Sequence, residues 1–294
     1  RPPRSTQGVS SAASDVYKRQ VDDMSNEEYH TGVGDEALGS SSLKTLATKT
    51  PNHFKNRPPQ ESKPYFDKGT ASHIAILEPE KFKKLVIRGG KDRRQKEYKE
   101  AIANKTAEQV VLPDGDYEDV LRIKDAVSNS TQVNKLLYHQ DAKSEVSAFC
   151  IDEETGIKLK CRPDKVRPSK KDPSMDIIID LKTTVDASKE GFQRACGNFG
   201  YHIQESFYRR CWEQATGRKV AKFYFLAVEK EPPYAFSIFE LGDKSIVEGD
   251  AIVDLALTTY SECQKTGYFP SYSTEIQEID IPPYFIKLTD PTIF

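Results

Sequence analysis

No stretch of this 294-residue sequence is apolar for long enough to cross a membrane; the most hydrophobic run, Ile177-Ile178-Ile179, meets charge at Asp180. Cysteine is sparse. Cys150, Cys161, Cys196, Cys211 and Cys263 are odd in number, and none forms a Cys-x-x-Cys pair. That pattern argues against a disulfide framework, a cysteine zinc site, or the close thiolate grouping of an iron–sulfur cluster. Reduced thiols packed as small hydrophobes, in a cytoplasmic protein, are the expectation. Net charge is almost absent as well, with 43 Lys and Arg against 45 Asp and Glu. A partner as anionic as nucleic acid would have to be met by basic residues concentrated in one groove or channel.

What is present suffices for a core: 37% hydrophobic and 10% aromatic residues in a chain long enough for one large domain. Residues 1–23 read as a disordered leader. Arg1 to Gln20 are rich in Ser, Arg and Pro, lack an apolar segment, and resemble cloning-derived sequence from Val9 onward. The native chain is expected to begin near Met24, with residues 24–294 forming a single domain.

Ser25, with Glu28 three residues on, predicts a capped helical turn. Ser40 to Thr50 predicts a serine-capped helix stopped at Thr50-Pro51, where Pro51 opens another turn. A loop follows over Asn56 to Lys63. Gly69 to Pro79 reads as an amphipathic helix carrying His73, and Tyr117 to Leu137 as another. Lys81 to Lys105, with Arg93-Arg94 in its middle, suits either a solvated helix face or a phosphate-contacting segment.

Then the period changes. Ser144 to Ile151, opened by Glu145, and Ile157 to Cys161 alternate like a hairpin around Glu153-Glu154-Thr155-Gly156. Val166 to Met175 reads as a Lys/Pro-rich connection and Ile177 to Lys182 as the central strand, buried on both sides. Ala187 to Gly217 is helical with a break near Gly197 to Gly200. Lys222 to Glu229 and Tyr234 to Leu241 pair as strands across Pro232-Pro233. Asp243 caps a long helix closed by Gly267, and one short strand is expected between Ile279 and Tyr284. The order fits a mixed α/β fold, a central mixed sheet flanked by helices.

The chemistry concentrates between Arg162 and Tyr208. Alternation in a strand places Asp180 and Lys182 on one face, with Leu181 turned into the core. Asp164 follows Pro163 at a strand end beside them. Two carboxylates can hold a hard divalent cation through oxygen, and a lysine beside them can orient the attacking water and offset charge on a phosphorane-like transition state. Gln204 and Tyr208 are at i and i+4 and share a helix face.

These segments, in this order, resemble the phage-type recombination exonucleases of the PD-(D/E)xK superfamily, above all the nuclease domain of exodeoxyribonuclease VIII (RecE-like). The resemblance runs from about Ser25 to Pro283. It rests on Tyr29-His30, Ser41-Ser42-Leu43-Lys44, Thr50-Pro51, Gly69-Thr70-Ala71-Ser72-His73, Leu77-Glu78-Pro79, Cys161-Arg162-Pro163-Asp164, Asp180-Leu181-Lys182-Thr183-Thr184, and Tyr201-His202-x-Gln204 leading to Tyr208. It implies a restriction-endonuclease-like core in which Asp164, Asp180, His73 and the Leu181 carbonyl bind Mg²⁺, with Mn²⁺ able to substitute. Lys182 would position or activate water, Gln204 and Tyr208 would support the site and the DNA end, and Glu145 would be an acidic support. The activity implied is 5′-to-3′ digestion of linear double-stranded DNA that leaves 3′ single-stranded tails for recombination. Implied too are a ring-shaped homo-oligomer and a single-strand annealing partner (RecT-like). The alternatives are an endonuclease on the same core and a non-catalytic DNA-binding protein that keeps the fold.

Overall fold

In the computed structural model, residues 18–22, 24–31, 36–58 and 64–282 are described. In chain order the elements begin with β1 (Arg19–Val21), α1 (Asn26–His30), α2 (Ser40–Thr48), α3 (Pro51–Lys55), α4 (Pro64–Leu77) and α5 (Phe82–Leu85). Next come β2 (Val86–Arg88), α6 (Lys96–Asn104), β3 (Val110–Leu112), α7 (Asp114–Ser128) and α8 (Thr131–Leu137). The strands β4 (Lys143–Ser144), β5 (Ser147–Ile151), β6 (Lys158–Cys161), β7 (Lys165–Pro168) and β8 (Asp176–Thr184) follow. The described chain closes with α9 (Lys189–Phe199), α10 (Tyr201–Thr216), β9 (Val220–Glu229), β10 (Phe236–Phe239) and α11 (Asp243–Thr266).

Five strands in the order β10-β9-β8-β7-β4 form the main sheet. It is mixed: β8 and β9 run parallel, and the other neighbours are antiparallel. A three-stranded sheet, β1-β5-β6, packs beside it, and β2 and β3 pair in parallel within a smaller subdomain. The central strand is β8, as its continuous β-branched residues predict. Its two faces feed two cores. Ile178 lies with Phe207, Trp212 and Phe225 under α10, whereas Ile177, Ile179 and Leu181 lie with Ile76, Ile123 and Val127 of α4 and α7.

The helix starts follow capping chemistry. Glu28 N–H donates to Ser25 Oγ at 3.1 Å and Ser25 N–H to Glu28 Oε2 at 2.9 Å, the expected reciprocal box. Gly200, at φ +62°, ends α9 and starts α10, a left-handed turn that glycine adopts without a Cβ penalty.

Several sequence expectations are corrected. The leader was expected to be unstructured through Asp23, yet β1 pairs with Ser147–Phe149 of β5, and Lys18 and Asp22 form ion pairs with Glu153 and Lys143. Residues 1–17 and 23 lie outside the described residues, as do 59–63 of the expected loop and 283–284 of the expected tail strand; no strand occurs from 268 to 282. The caps of α2 and α11 are Gly39 and Gly242, one residue ahead of Ser40 and Asp243. Helix α4 starts at Pro64, not Gly69, and the expected helix over 117–137 is two, because the Ser130 hydroxyl accepts from Val133 N–H and starts α8. Lys81 to Lys105 comprises α5, β2 and α6. The connection after Asp164 hides β7, a strand disguised by Lys165, Arg167 and Pro168. Lys165 is nonetheless buried, donating to Leu77 O at 3.2 Å and to Ser144 Oγ at 2.8 Å.

The strand expected from Ser144 to Ile151 is broken at Glu145 and Val146, where the chain leaves the main sheet for the three-stranded one. Arg162-Pro163-Asp164 returns it. The two corners are bonded to each other, Glu145 N–H donating to Asp164 O at 3.1 Å. Both corners bear acids.

Far from those corners, Asp176 is buried at the start of β8 and accepts from Trp212 Nε1 at 2.9 Å and from Arg218 Nε at 2.9 Å. Trp212→Phe is expected to cost about 1 kcal/mol, one buried hydrogen bond with Arg218 still in place. Trp212→Ala is expected to cost about 3–5 kcal/mol. Urea unfolding followed by circular dichroism checks both, since Trp212 is the sole tryptophan and its fluorescence is lost in either variant.

Candidate active site

The site forms where β7 has not yet joined β8. From Asp176 to Ile179, β8 is hydrogen-bonded to β7; beyond that register its edge is open. There the Leu181 N–H donates to Asp164 Oδ2 at 2.6 Å, so the carboxylate replaces a missing strand partner. Along a strand, successive residues direct their N–H and C=O groups to alternate neighbours, so the Leu181 carbonyl faces the same open edge.

Asp180 points to the α10 face and is 1% exposed. Gln204 Nε2 donates to its Oδ1 at 2.9 Å. Lys182 Nζ lies 2.5 Å from its Oδ2, an ion pair that holds the second carboxylate oxygen. The shared face predicted for Asp180 and Lys182 is observed. Lys182 Nζ is also 4.9 Å from the centre of the Tyr201 ring. His73, on α4, brings Nδ1 to 3.6 Å from Asp164 Oδ2.

The fold gathers Asp164, Asp180, Lys182 and Gln204, which the sequence motifs brought forward, with His73 and the Leu181 peptide, which only the resemblance implied. Tyr208 lies one turn beyond Gln204 on α10, within electrostatic reach of Asp180 and Asp164, and its hydroxyl has no hydrogen-bond partner among the described residues. Glu145 is a corner residue at φ +52°, strained for a side chain with a Cβ, and its backbone holds the Asp164 corner. Two further residues border the site. Tyr201 shares the Gln204 face of α10 at i−3, a signal the sequence carried. Lys44 of α2 reaches Gln204 Oε1 at 3.4 Å across 160 residues, which no local pattern reveals.

The electrostatics are those of too many acids for the cations present. Burial, then the neighbouring Asp180 and Glu145 carboxylates, push the Asp164 carboxyl well above its ordinary range. Burial likewise raises Glu145 to about 7, with Glu78 and Asp180 adding to it against the opposing pull of Arg162. For Lys182, burial acts to lower the pKa, but Asp180 and Asp164 outweigh it and the ammonium is stabilised. Burial and the Lys182 charge lower His73 to about 4. Although 30% of its side-chain area remains exposed, both influences act in the same direction, so the ring is neutral near pH 7.

Among the described residues no three His, Cys, Asp or Glu side chains form a ready-made metal cage. The donor set nevertheless suits a hard, water-retaining cation such as Mg²⁺, which takes one or two carboxylates rather than an all-protein shell. The mutual repulsion of Asp164, Asp180 and Glu145, which Lys182 offsets only in part, is what such an ion would relieve.

A carboxyl whose folded pKa is raised binds its proton more tightly folded than unfolded. Stability is therefore greatest below the unfolded value and is lost as pH rises through the folded one. For Glu145 that window runs from 4.5 to about 7. In chelator, Glu145→Gln is expected to melt increasingly above wild type as pH rises across it. A gap between the two Tm values that does not change with pH would contradict this.

A family model described as a PDDEXK-like domain of unknown function (DUF3799) matches residues 39–282. No curated protein matches the sequence significantly. A crystal structure of a protein named "Putative exonuclease" from Eubacterium rectale superposes with a TM-score of 0.58 at 15% identity, covering 88% of this chain and 96% of that one. The structure of SSO0001 aligns over 81% of this chain and 86% of its own at 14% identity, but with a TM-score of 0.33. The fold is thus restriction-endonuclease-like, and the chain belongs to the PDDEXK-like family DUF3799.

Proposed function

We propose that the chain is a divalent-metal-dependent nuclease that hydrolyses the phosphodiester bonds of linear double-stranded DNA from an end. The observation that carries this reading is the Asp164 carboxylate held on the Leu181 N–H within electrostatic reach of Asp180, with Lys182 paired to Asp180 on the same face. Asp164, Asp180 and the Leu181 carbonyl would hold Mg²⁺, or Mn²⁺ in its place, with neutral His73 as a further ligand. Bound there, the ion would polarise the scissile phosphate and acidify a water.

The chain's own groups do the rest. Gln204 fixes Asp180 through Oδ1, and Lys182 holds Oδ2. Lys182 orients the attacking water and offsets the charge that develops on the phosphoryl oxygens. The Tyr208 hydroxyl, without a hydrogen-bond partner among the described residues, would meet the DNA end. Retention of both carboxylates and the lysine speaks against a binding protein that has lost catalysis. The resemblance to exodeoxyribonuclease VIII supports the finer parts of the reading: 5′-to-3′ polarity, 3′ single-stranded tails, a ring-shaped homo-oligomer and a single-strand annealing partner. An endonuclease on the same core is the competing reading.

Two experiments test this. A linear duplex labelled at each 5′ end should lose label in Mg²⁺ while a closed circle stays intact; cutting of the circle would establish the endonuclease instead. Asp180→Ala and Lys182→Ala should each lower digestion by at least about a hundredfold with the fold retained, and Tyr208→Phe should cost less than Asp164→Ala. A Lys182→Ala variant that digests at the wild-type rate would remove Lys182 from the chemistry.

A further inference from the structure

The cations around the site are partnered, with one exception. Lys182 is paired with Asp180. Arg162 donates to Ser147 Oγ at 2.9 Å and to the Met24 and Ser25 carbonyls. Lys160 donates to Tyr29 O at 2.8 Å. The three arginines of the basic segment are paired as well, Arg88 with Asp114 and Glu118, Arg93 with Asp116, and Arg94 with Asp92.

Lys44 is the exception. No carboxylate among the described residues lies within ion-pair distance of it; its ammonium has only Gln204 Oε1, at 3.4 Å, and the Tyr201 ring, 5.5 Å from its centre. Its methylenes are held against Gly200, within 3.7 Å of where a Cβ would stand. The Lys182 ammonium shares the same Tyr201 ring. A half-buried ammonium that faces a second cation and lacks a counter-ion is costly to keep charged. Burial and Lys182 accordingly lower its pKa to about 8. An anion arriving between the two lysines would remove that cost, and the anion that a nuclease brings is a phosphate.

We propose that Lys44 holds a backbone phosphate of the DNA strand adjacent to the phosphodiester being cut, forming with Tyr201 and Gln204 a substrate-phosphate subsite beside the carboxylates. This rests on the nuclease reading. It places a strand-holding contact on α2, next to the α9–α10 junction, and makes Gln204 common to the phosphate subsite and to Asp180.

The test compares wild type, Lys44→Met and Lys44→Arg in digestion of a linear duplex over a range of salt. Lys44→Met should raise KM about tenfold with kcat changed by less than about twofold, and should reduce the salt dependence of binding by about one phosphate's worth. Lys44→Arg should restore most of the loss. A duplex with one neutral methylphosphonate beside the scissile position should weaken wild type but leave Lys44→Met unaffected. Because an unpaired buried charge is removed, the Tm of Lys44→Met should not fall. A wild type that digests DNA, with Lys44→Met matching it in KM and salt dependence, overturns the phosphate contact alone. A fall in kcat without a change in KM, or a lowered Tm, does the same, since Lys44 would then act on Asp180 through Gln204 or on the fold. A wild type that neither binds nor cuts DNA overturns the nuclease reading itself.

Discussion

The hydrogen bond from the Leu181 N–H to the Asp164 carboxylate is the contact on which the rest of the site depends. A strand that loses its neighbour midway exposes peptide groups that must be satisfied. Here the satisfying group is an acid on the corner that delivers the neighbour. That choice joins backbone and chemistry: it pins Asp164 against the central strand, beside Asp180, and turns the Leu181 carbonyl toward the same opening. The second corner is tied to the first by Glu145 N–H, so two changes of sheet bring three acids together.

Such a cluster is unfavourable by itself. Burial and like charge disfavour ionisation of Asp164 and Glu145, and Lys182 answers only part of it. The surrounding structure holds the arrangement in place from both faces of β8. On one, Gln204 locks Asp180 from α10, itself anchored by Phe207 and Trp212 in the larger core. On the other, α4 is fixed by Ile76 and Leu77 in the second core and presents His73. A rigid scaffold holding mutually repelling acids is the state expected of a site pre-organised for a cation.

The near-zero net charge acquires a structural meaning. Arg88, Arg93 and Arg94, the most visible basic residues of the sequence, are engaged with acids of their own subdomain. Positive charge that faces Asp180 comes instead from single lysines, Lys44 and Lys182, gathered on one tyrosine ring. Concentration of charge, rather than its total, governs this surface.

Much was legible in the residues. The isoleucine run announced β8, period-two alternation placed Asp180 and Lys182 on one face, the hairpin around Gly156 showed its turn residues, and helical spacing put Gln204 in line with Tyr208. All are short-range, and local stereochemistry suffices for them. What tertiary structure alone decided is long-range or runs against local preference. β7 is a strand because it pairs with β8 and Lys165 finds buried partners in Leu77 O and Ser144 Oγ, not because its sequence favours one. Glu145 sits at a positive φ because two sheets meet there. Lys44 reaches Gln204 across 160 residues because α2 packs on α10. The sequence by itself determined which residues share a strand or helix face; the packing of two sheets and their helices decided how close those faces stand, since distance between remote residues is set by the core they share.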